Sequence, residues 1–228
     1  TRISNPQFTG VFDLDSESCP FAGYQIIEGQ LASEKQLSFD ERLRLARPLG
    51  EFLSELHNTP QQSVAYQEAP RDLIGRMDLT RRIPQTYDRL KQITELNLTP
   101  HSTALSELMD SLTSRLELND ELVLSHGDLY SRHIVMTPDL SLAGIIDWGD
   151  VHVNHPAVDL AVTWKFLPVA CHSEFQDAYG QIPNATWDLA RFRALNHLTA
   201  LLVYAHDTQA ADLIFETQFT IENLISDM

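Results

Sequence analysis

A chain of 228 residues, 43% apolar and 21% charged, can form one large domain or two small ones around a core that needs no disulfide support. Its 16 basic and 32 acidic residues leave a formal charge of −16, which excludes the basic footprint of a nucleic-acid binder. No apolar run approaches the ~18 residues of a membrane span, and Cys19 and Cys171 alone make neither a disulfide framework nor a zinc signature, so a reducing cytoplasm is the expected home.

In chain order, Val11–Leu14 and Tyr24–Ile27 read as strands of a hairpin, with a loop at Ser16–Pro20 and an end at Glu28-Gly29. Ser38-Phe39-Asp40-Glu41 has the form of a capping box, and Leu45, Leu49, Phe52, Leu53 and Leu56 then share one helical face. Pro48 inside that pattern predicts a kink or a break. Helical patterns follow over 71–95 and 100–116, the second with Thr99 as cap and Pro100 at the first helical position. Residues 121–125 read as a short buried strand, and Ile134–Met136 with Leu142–Ile146 as a strand pair about the turn Thr137-Pro138-Asp139. Helices are expected again over 156–167, 172–180, 185–205 and 208–226.

Two segments carry chemistry. Ser125-His126-Gly127-Asp128-Leu129-Tyr130-Ser131-Arg132-His133-Ile134 forms a loop between expected strands, and Ala143-Gly144-Ile145-Ile146-Asp147-Trp148-Gly149-Asp150 delivers a carboxylate at a strand end. A loop acid, a ligand five residues later and a second acid beyond a hairpin supply what phosphoryl transfer needs: a carboxylate to orient the attacking hydroxyl and donors for magnesium against the phosphates.

Together with His155-Pro156-Ala157-Val158-Asp159-Leu160-Ala161, these segments resemble the aminoglycoside phosphotransferase family and its macrolide and choline kinase relatives. The resemblance runs from Tyr24 to about residue 205 and is strongest over 125–161. It implies an α+β, protein-kinase-like fold: residues 1–31 as the remnant of a truncated N-terminal β lobe and hinge, residues 32–228 as a mainly helical catalytic lobe with an embedded β hairpin. It implies an ATP- or GTP-dependent, magnesium-assisted phosphotransferase acting on a hydroxyl of a small molecule.

Residue by residue, the resemblance makes Asp128 the catalytic base and Asp147 a magnesium ligand. His133, standing where most relatives have Asn, becomes a second ligand through a ring nitrogen, unusual for a hard cation that favours oxygen. His126 and Asp159 become structural supports of the loop. Gly23 to Leu31 resembles the hinge, with Tyr24 as gatekeeper and the Gln25 carbonyl and Ile27 amide meeting the adenine edge. Leu53-Ser54-Glu55-Leu56-His57 matches a helix end at which His57 is a packed histidine.

The acceptor stays open. An acidic chain suits a cationic molecule such as an aminoglycoside, with Asp150 as the amine contact, but solubility explains such a charge equally well. Glu174 and Glu216 are further acids for an amine; Trp164, Trp187 and Tyr204 would instead line an apolar pocket.

One departure from the family pattern stands out. No glycine-rich loop or lysine-bearing strand precedes the hinge, Lys35 being the first lysine, and the chain opens on Thr1. The expectation is a chain that starts within its N-terminal lobe and transfers phosphate poorly alone. Two rivals remain: a non-catalytic nucleotide-binding module of the same fold, and a metal-dependent hydrolase built on His126, His133, His152 and His155.

Overall fold

A computed structural model describes residues 8–12 and 21–226, with side chains described over 25–210 and 213–226. The Ser16–Pro20 loop with Cys19, and the side chain of the proposed gatekeeper Tyr24, lie outside the described residues. The architecture is α+β, with three small sheets and a mainly helical body among the described residues. Strands β1 (Phe8–Phe12) and β2 (Phe21–Tyr24) pair antiparallel. The strand expected through Ile27 stops at Tyr24, and residues 25–28 lie outside every ladder. Strand β3 (Gln30–Leu31) instead pairs with β5 (Ile134–Met136), which pairs with β6 (Leu142–Ile145) in the expected hairpin. Residues 30–31 are therefore laddered to the β5–β6 hairpin. The strand β4 (Val123–Ser125) finds its partner in β7 (His152–Asn154), which periodicity did not reveal because it is only three residues long.

Helix α1 (Phe39–His57) begins at the expected capping box: Ser38 Oγ accepts the Glu41 N–H, and the Glu41 carboxylate accepts the Ser38 N–H at 2.7 Å. The helix runs unbroken through Pro48, because Leu45, Leu49, Phe52 and Leu53 are buried and packing outweighs one lost backbone bond. Gly50 lets α1 approach α7 (His172–Tyr179); a Cβ there would stand 2.6 Å from the Phe175 carbonyl.

The helix expected over 71–95 starts late. A short helix α2 (Val64–Glu68) precedes an irregular stretch, and α3 (Leu79–Glu95) starts only at Asp78, whose carboxylate accepts the Thr80 and Arg81 N–H groups. Asp72 diverts residues 71–77 by accepting the Ile74 and Arg76 N–H groups, and Gly75 at φ +61° completes the turn. Helix α4 (Ser102–Thr113) follows His101, two residues past the expected start, while Thr99 Oγ1 accepts the His101 N–H as a cap at that start would.

The region after Asp147 holds α5 (Ala157–Leu160), α6 (Val162–Phe166), α7, α8 (Asn184–Thr208) and α9 (Ala211–Ile225). The expected helix over 156–167 is divided at Ala161. One apolar core joins α1, α3 to α9 and the β5–β6 hairpin. Within it Arg42 is fully buried, donating to the Phe166 carbonyl at 2.9 Å and to Glu216 at 3.1 Å, so Glu216 faces a structural cation. Trp164 is also core, edge-on to His172, and Glu174 pairs with Arg47. No helix among the described residues is long and apolar enough to cross a membrane.

Candidate active site

The loop at 126–133 is placed by a buried carboxylate. Asp159, on α5, is fully buried; its Oδ2 accepts the His126 N–H at 2.7 Å and its Oδ1 the Gly127 N–H at 2.9 Å. The His57 ring meets the same carboxylate at 3.2 Å and the Tyr179 hydroxyl at 2.8 Å. Burial alone would raise the Asp159 pKa, but the His57 hydrogen bond and charge and the loop N–H donors outweigh it and hold the group below the usual carboxylate range. The loop is thus anchored by an ionised acid at its back.

Gly127 has φ +92°, and an added Cβ would lie 2.4 Å from the Asp150 carbonyl and 2.7 Å from the His152 ring. Only glycine fits where the loop turns against the segment after Asp147. His126 Nε2 donates to the Ile146 carbonyl at 2.9 Å, while its Nδ1 accepts the Asp128 N–H at 3.3 Å. Both nitrogens are engaged in the neutral tautomer, and burial lowers the ring's pKa. This histidine ties the loop to the strand end that carries Asp147.

His133 joins the two acids. Its Nδ1 lies 2.6 Å from the Asp128 carbonyl oxygen and its Nε2 lies 3.2 Å from Asp147 Oδ2. A carbonyl only accepts, so Nδ1 carries the proton and the Nε2 of a neutral ring presents a lone pair to a carboxylate. Two acceptors in contact require a proton or a cation on that face. Asp147 itself is a non-glycine residue at φ 63°, ψ 61°, with an exposed carboxylate, and its neighbours are pinned: Ile146 N–H to the His133 carbonyl at 3.0 Å, Trp148 Nε1 to the Ile145 carbonyl at 3.0 Å. Strain of this kind persists only where the surroundings over-determine it.

The remaining candidates are distributed as follows. Asp150 pairs with Arg76 at 2.7 Å, so the proposed amine contact already has a cationic partner. His152 is bonded to the Asp150 carbonyl and Asn154, and His155 to Asn119 and the Ala157 N–H. Among the described residues no three His, Cys, Asp or Glu side chains converge as a metal site, so the dinuclear hydrolase arrangement is not formed there. The hinge segment 25–28 is irregular, Gln25 exposed and Ile27 half-buried.

Several residues near Asp128 escaped the sequence. Lys165 is buried on α6 and donates to the Leu129 carbonyl at 2.5 Å; burial, with repulsion from Arg193, brings its pKa down to about 7. His197, on α8, places Nε2 3.9 Å from Asp128 Oδ1, and burial drives its pKa down. Tyr130 lies edge-on to both His133 and His197. The sequence signal of Lys165 and His197 is a polar residue inside an otherwise apolar helical stretch.

Residues 3–195 match the phosphotransferase enzyme family APH. The chain belongs to that family. Solved structures with the same fold include the GDP and kanamycin complex of APH(2")-IIia, at 21% identity and a TM-score of 0.66, covering 99% of this chain and 77% of that one. The AMP-bound spectinomycin phosphotransferase APH(9)-Ia matches at 16% identity and a TM-score of 0.58, over 91% and 71% of the two chains. Macrolide 2'-phosphotransferase MphH from Brachybacterium faecium matches at 20% identity and 0.54, over 97% and 73%. At these identities the likeness is one of fold. Curated protein sequences give no match.

Proposed function

We propose that this family member transfers the γ-phosphoryl group of a purine nucleoside triphosphate, ATP or GTP, to a hydroxyl of a small molecule. The carrying observation is the His133 ring, which contacts the Asp128 carbonyl and the Asp147 carboxylate at once. In this reading Asp128 accepts the hydroxyl proton as the new oxygen–phosphorus bond forms and the diphosphate departs with the old bridging oxygen. His133 and Lys165 hold the carbonyls of Asp128 and Leu129, fixing the base between them.

The fit to a divalent cation rests on the facing acceptors. His133 Nε2 and Asp147 Oδ2 stand 3.2 Å apart, two donors that one small cation could bridge. Asp147 and His133 would hold magnesium, which would supply positive charge against the phosphates. The segment after β2 would take the purine on backbone groups of Gln25 and Ile27 beneath Tyr24, with residues 1–31 on the nucleotide side of the lobe at 32–228. His126 and Asp159 support the loop from behind. Work in the cytoplasm suits Cys171, a buried free thiol.

The test is phosphoryl transfer from ATP and GTP to a panel of hydroxyl acceptors, with nucleotide binding measured by calorimetry. Asp128→Asn should cut kcat by about 10²–10⁴ with nucleotide affinity retained, whereas Asp147→Asn should weaken magnesium-dependent nucleotide binding. Unchanged kcat in Asp128→Asn would remove the assignment.

A further inference from the structure

The chain's strong negative charge reverses beside Asp128. Helix α3 presents Arg82, Thr86 and Arg89 at i, i+4 and i+7, and α8 presents Arg193, Asn196 and His197 at i, i+3 and i+4. Hydrogen bonds show that the two faces meet. Asn196 Nδ2 donates to Thr86 Oγ1 at 2.9 Å, the Asn196 carbonyl accepts from Arg89 at 3.5 Å, and Asn196 Oδ1 accepts from Arg193 at 3.4 Å. His197, next on α8, faces Asp128 at 3.9 Å.

These arginines lack anions. Arg82 is spent on the carbonyls of Gly75 and Ile74 and on Gln85, with no carboxylate in contact among the described residues. Arg193 is 9% exposed, and its Nε is a buried donor without a partner among the described residues. Both nearby acids outside the loop, Asp72 and Asp150, are taken by Arg76. The field confirms the crowding: burial lowers the Arg193 pKa to about 10, Arg76 and Arg82 push the same way, and Asp128 opposes them. A buried guanidinium is ordinarily paired, and its fork matches a carboxylate or phosphate.

We infer that the acceptor is an anionic hydroxyl compound whose carboxylate or phosphate seats on the α3–α8 arginine face, with Arg193 as its principal contact, while its hydroxyl lies at Asp128. This rests on the phosphotransferase reading and specifies its substrate class. It reverses the expectation drawn from net charge: the chain-wide field is negative, yet the walls next to the base are cationic, and the acid that would greet an amine is already neutralised.

The experiment uses the full chain saturated with magnesium and ADP, so that the nucleotide side is filled, and follows binding of sulfate, malonate and methyl phosphate by calorimetry against kanamycin. Malonate and methyl phosphate distinguish a carboxylate from a phosphate ligand. Saturable anion binding that weakens about tenfold or more in Arg193→Gln and in Arg89→Gln, but not in the exposed control Arg115→Gln, supports the inference. Two variants guard against misfolding of one. Anion binding indifferent to both, or kanamycin binding with phosphate transfer to it that both variants retain, overturns it and leaves the phosphotransferase reading standing. Failure of the chain to bind magnesium-ADP at all would instead count against that reading.

Discussion

The two walls of the site are built on opposite principles. The loop at 126–133 is clamped by hydrogen bonds: Asp159 accepts two backbone N–H groups and meets the His57 ring, His126 bridges to Ile146, and Gly127 fits a space closed to any side chain. Every buried charge there has partners. The α3–α8 wall joins residues more than a hundred positions apart in sequence and leaves Arg193 short of an anion. One wall spends its polar groups on its own shape; the other keeps them in reserve for a ligand. Substitutions should therefore destabilise the first and spare or stabilise the second.

The largest effect is expected at Asp159. Asp159→Ala leaves the His126 and Gly127 N–H groups and the His57 ring facing a void, costing about 3–5 kcal/mol. Chemical denaturation measures it, and a cost below about 1 kcal/mol would mean the clamp is not what holds the loop.

The same wall should be acid-sensitive in a particular window. His155 donates from Nε2 to Asn119 and accepts the Ala157 N–H at Nδ1, so it is bound as the neutral ring, and burial with repulsion from His57 lowers its pKa to about 4. The unfolded chain takes up this proton near 6.5. Stability from the neutral ring is complete above that value and is lost as pH falls toward 4, up to about 3 kcal/mol. His126, also shifted downward, adds in the same direction. Asp159, with its depressed pKa, fails only at still lower pH, below about 4. Stability profiles of the native chain and His155→Gln between pH 7 and 4.5 should diverge, the variant being flatter.

The arginine wall should respond with the opposite sign. Arg193→Met removes a buried charge that lacks an anion and should stabilise the unliganded chain by about 1–2 kcal/mol while reducing turnover. A destabilised, fully active variant would show that Arg193 serves the fold instead.

The contrast also explains what the sequence could disclose. The loop, the hairpin and the acids at 128 and 147 lie within one short stretch, where spacing alone carries three-dimensional information, and the family could be read from it. The hairpin β5–β6 and the cap at Ser38 were legible for the same reason. The late start at Asp78 was missed because the side-chain-to-backbone bonds of Asp72 and the positive φ of Gly75 leave no mark on hydrophobic period. The partner of β4 was missed because three residues carry no period. Arg82, Arg89 and Arg193 read singly as helix-surface charges, and nothing in their spacing says that α3 and α8 turn them toward one another. Net charge does not register this wall, since it averages over the whole surface a feature confined to one part of it.

The smallest effect should appear where the sequence spoke most plainly. Ser38 and Glu41 satisfy each other's backbone N–H groups on the exposed start of α1, with Lys35 reaching Glu41 at 2.7 Å. Ser38→Ala removes one side of that exchange and should cost about 1 kcal/mol, read as a small fall in Tm, with kcat and KM unchanged. A motif readable from four consecutive residues is readable because its energetics are local, and local energetics couple weakly to a site assembled elsewhere. If Ser38→Ala altered kcat, α1 would be transmitting its start through His57 and Asp159 to the catalytic loop, and the separation between self-satisfied and ligand-reserved walls would have to include the helix on which His57 sits.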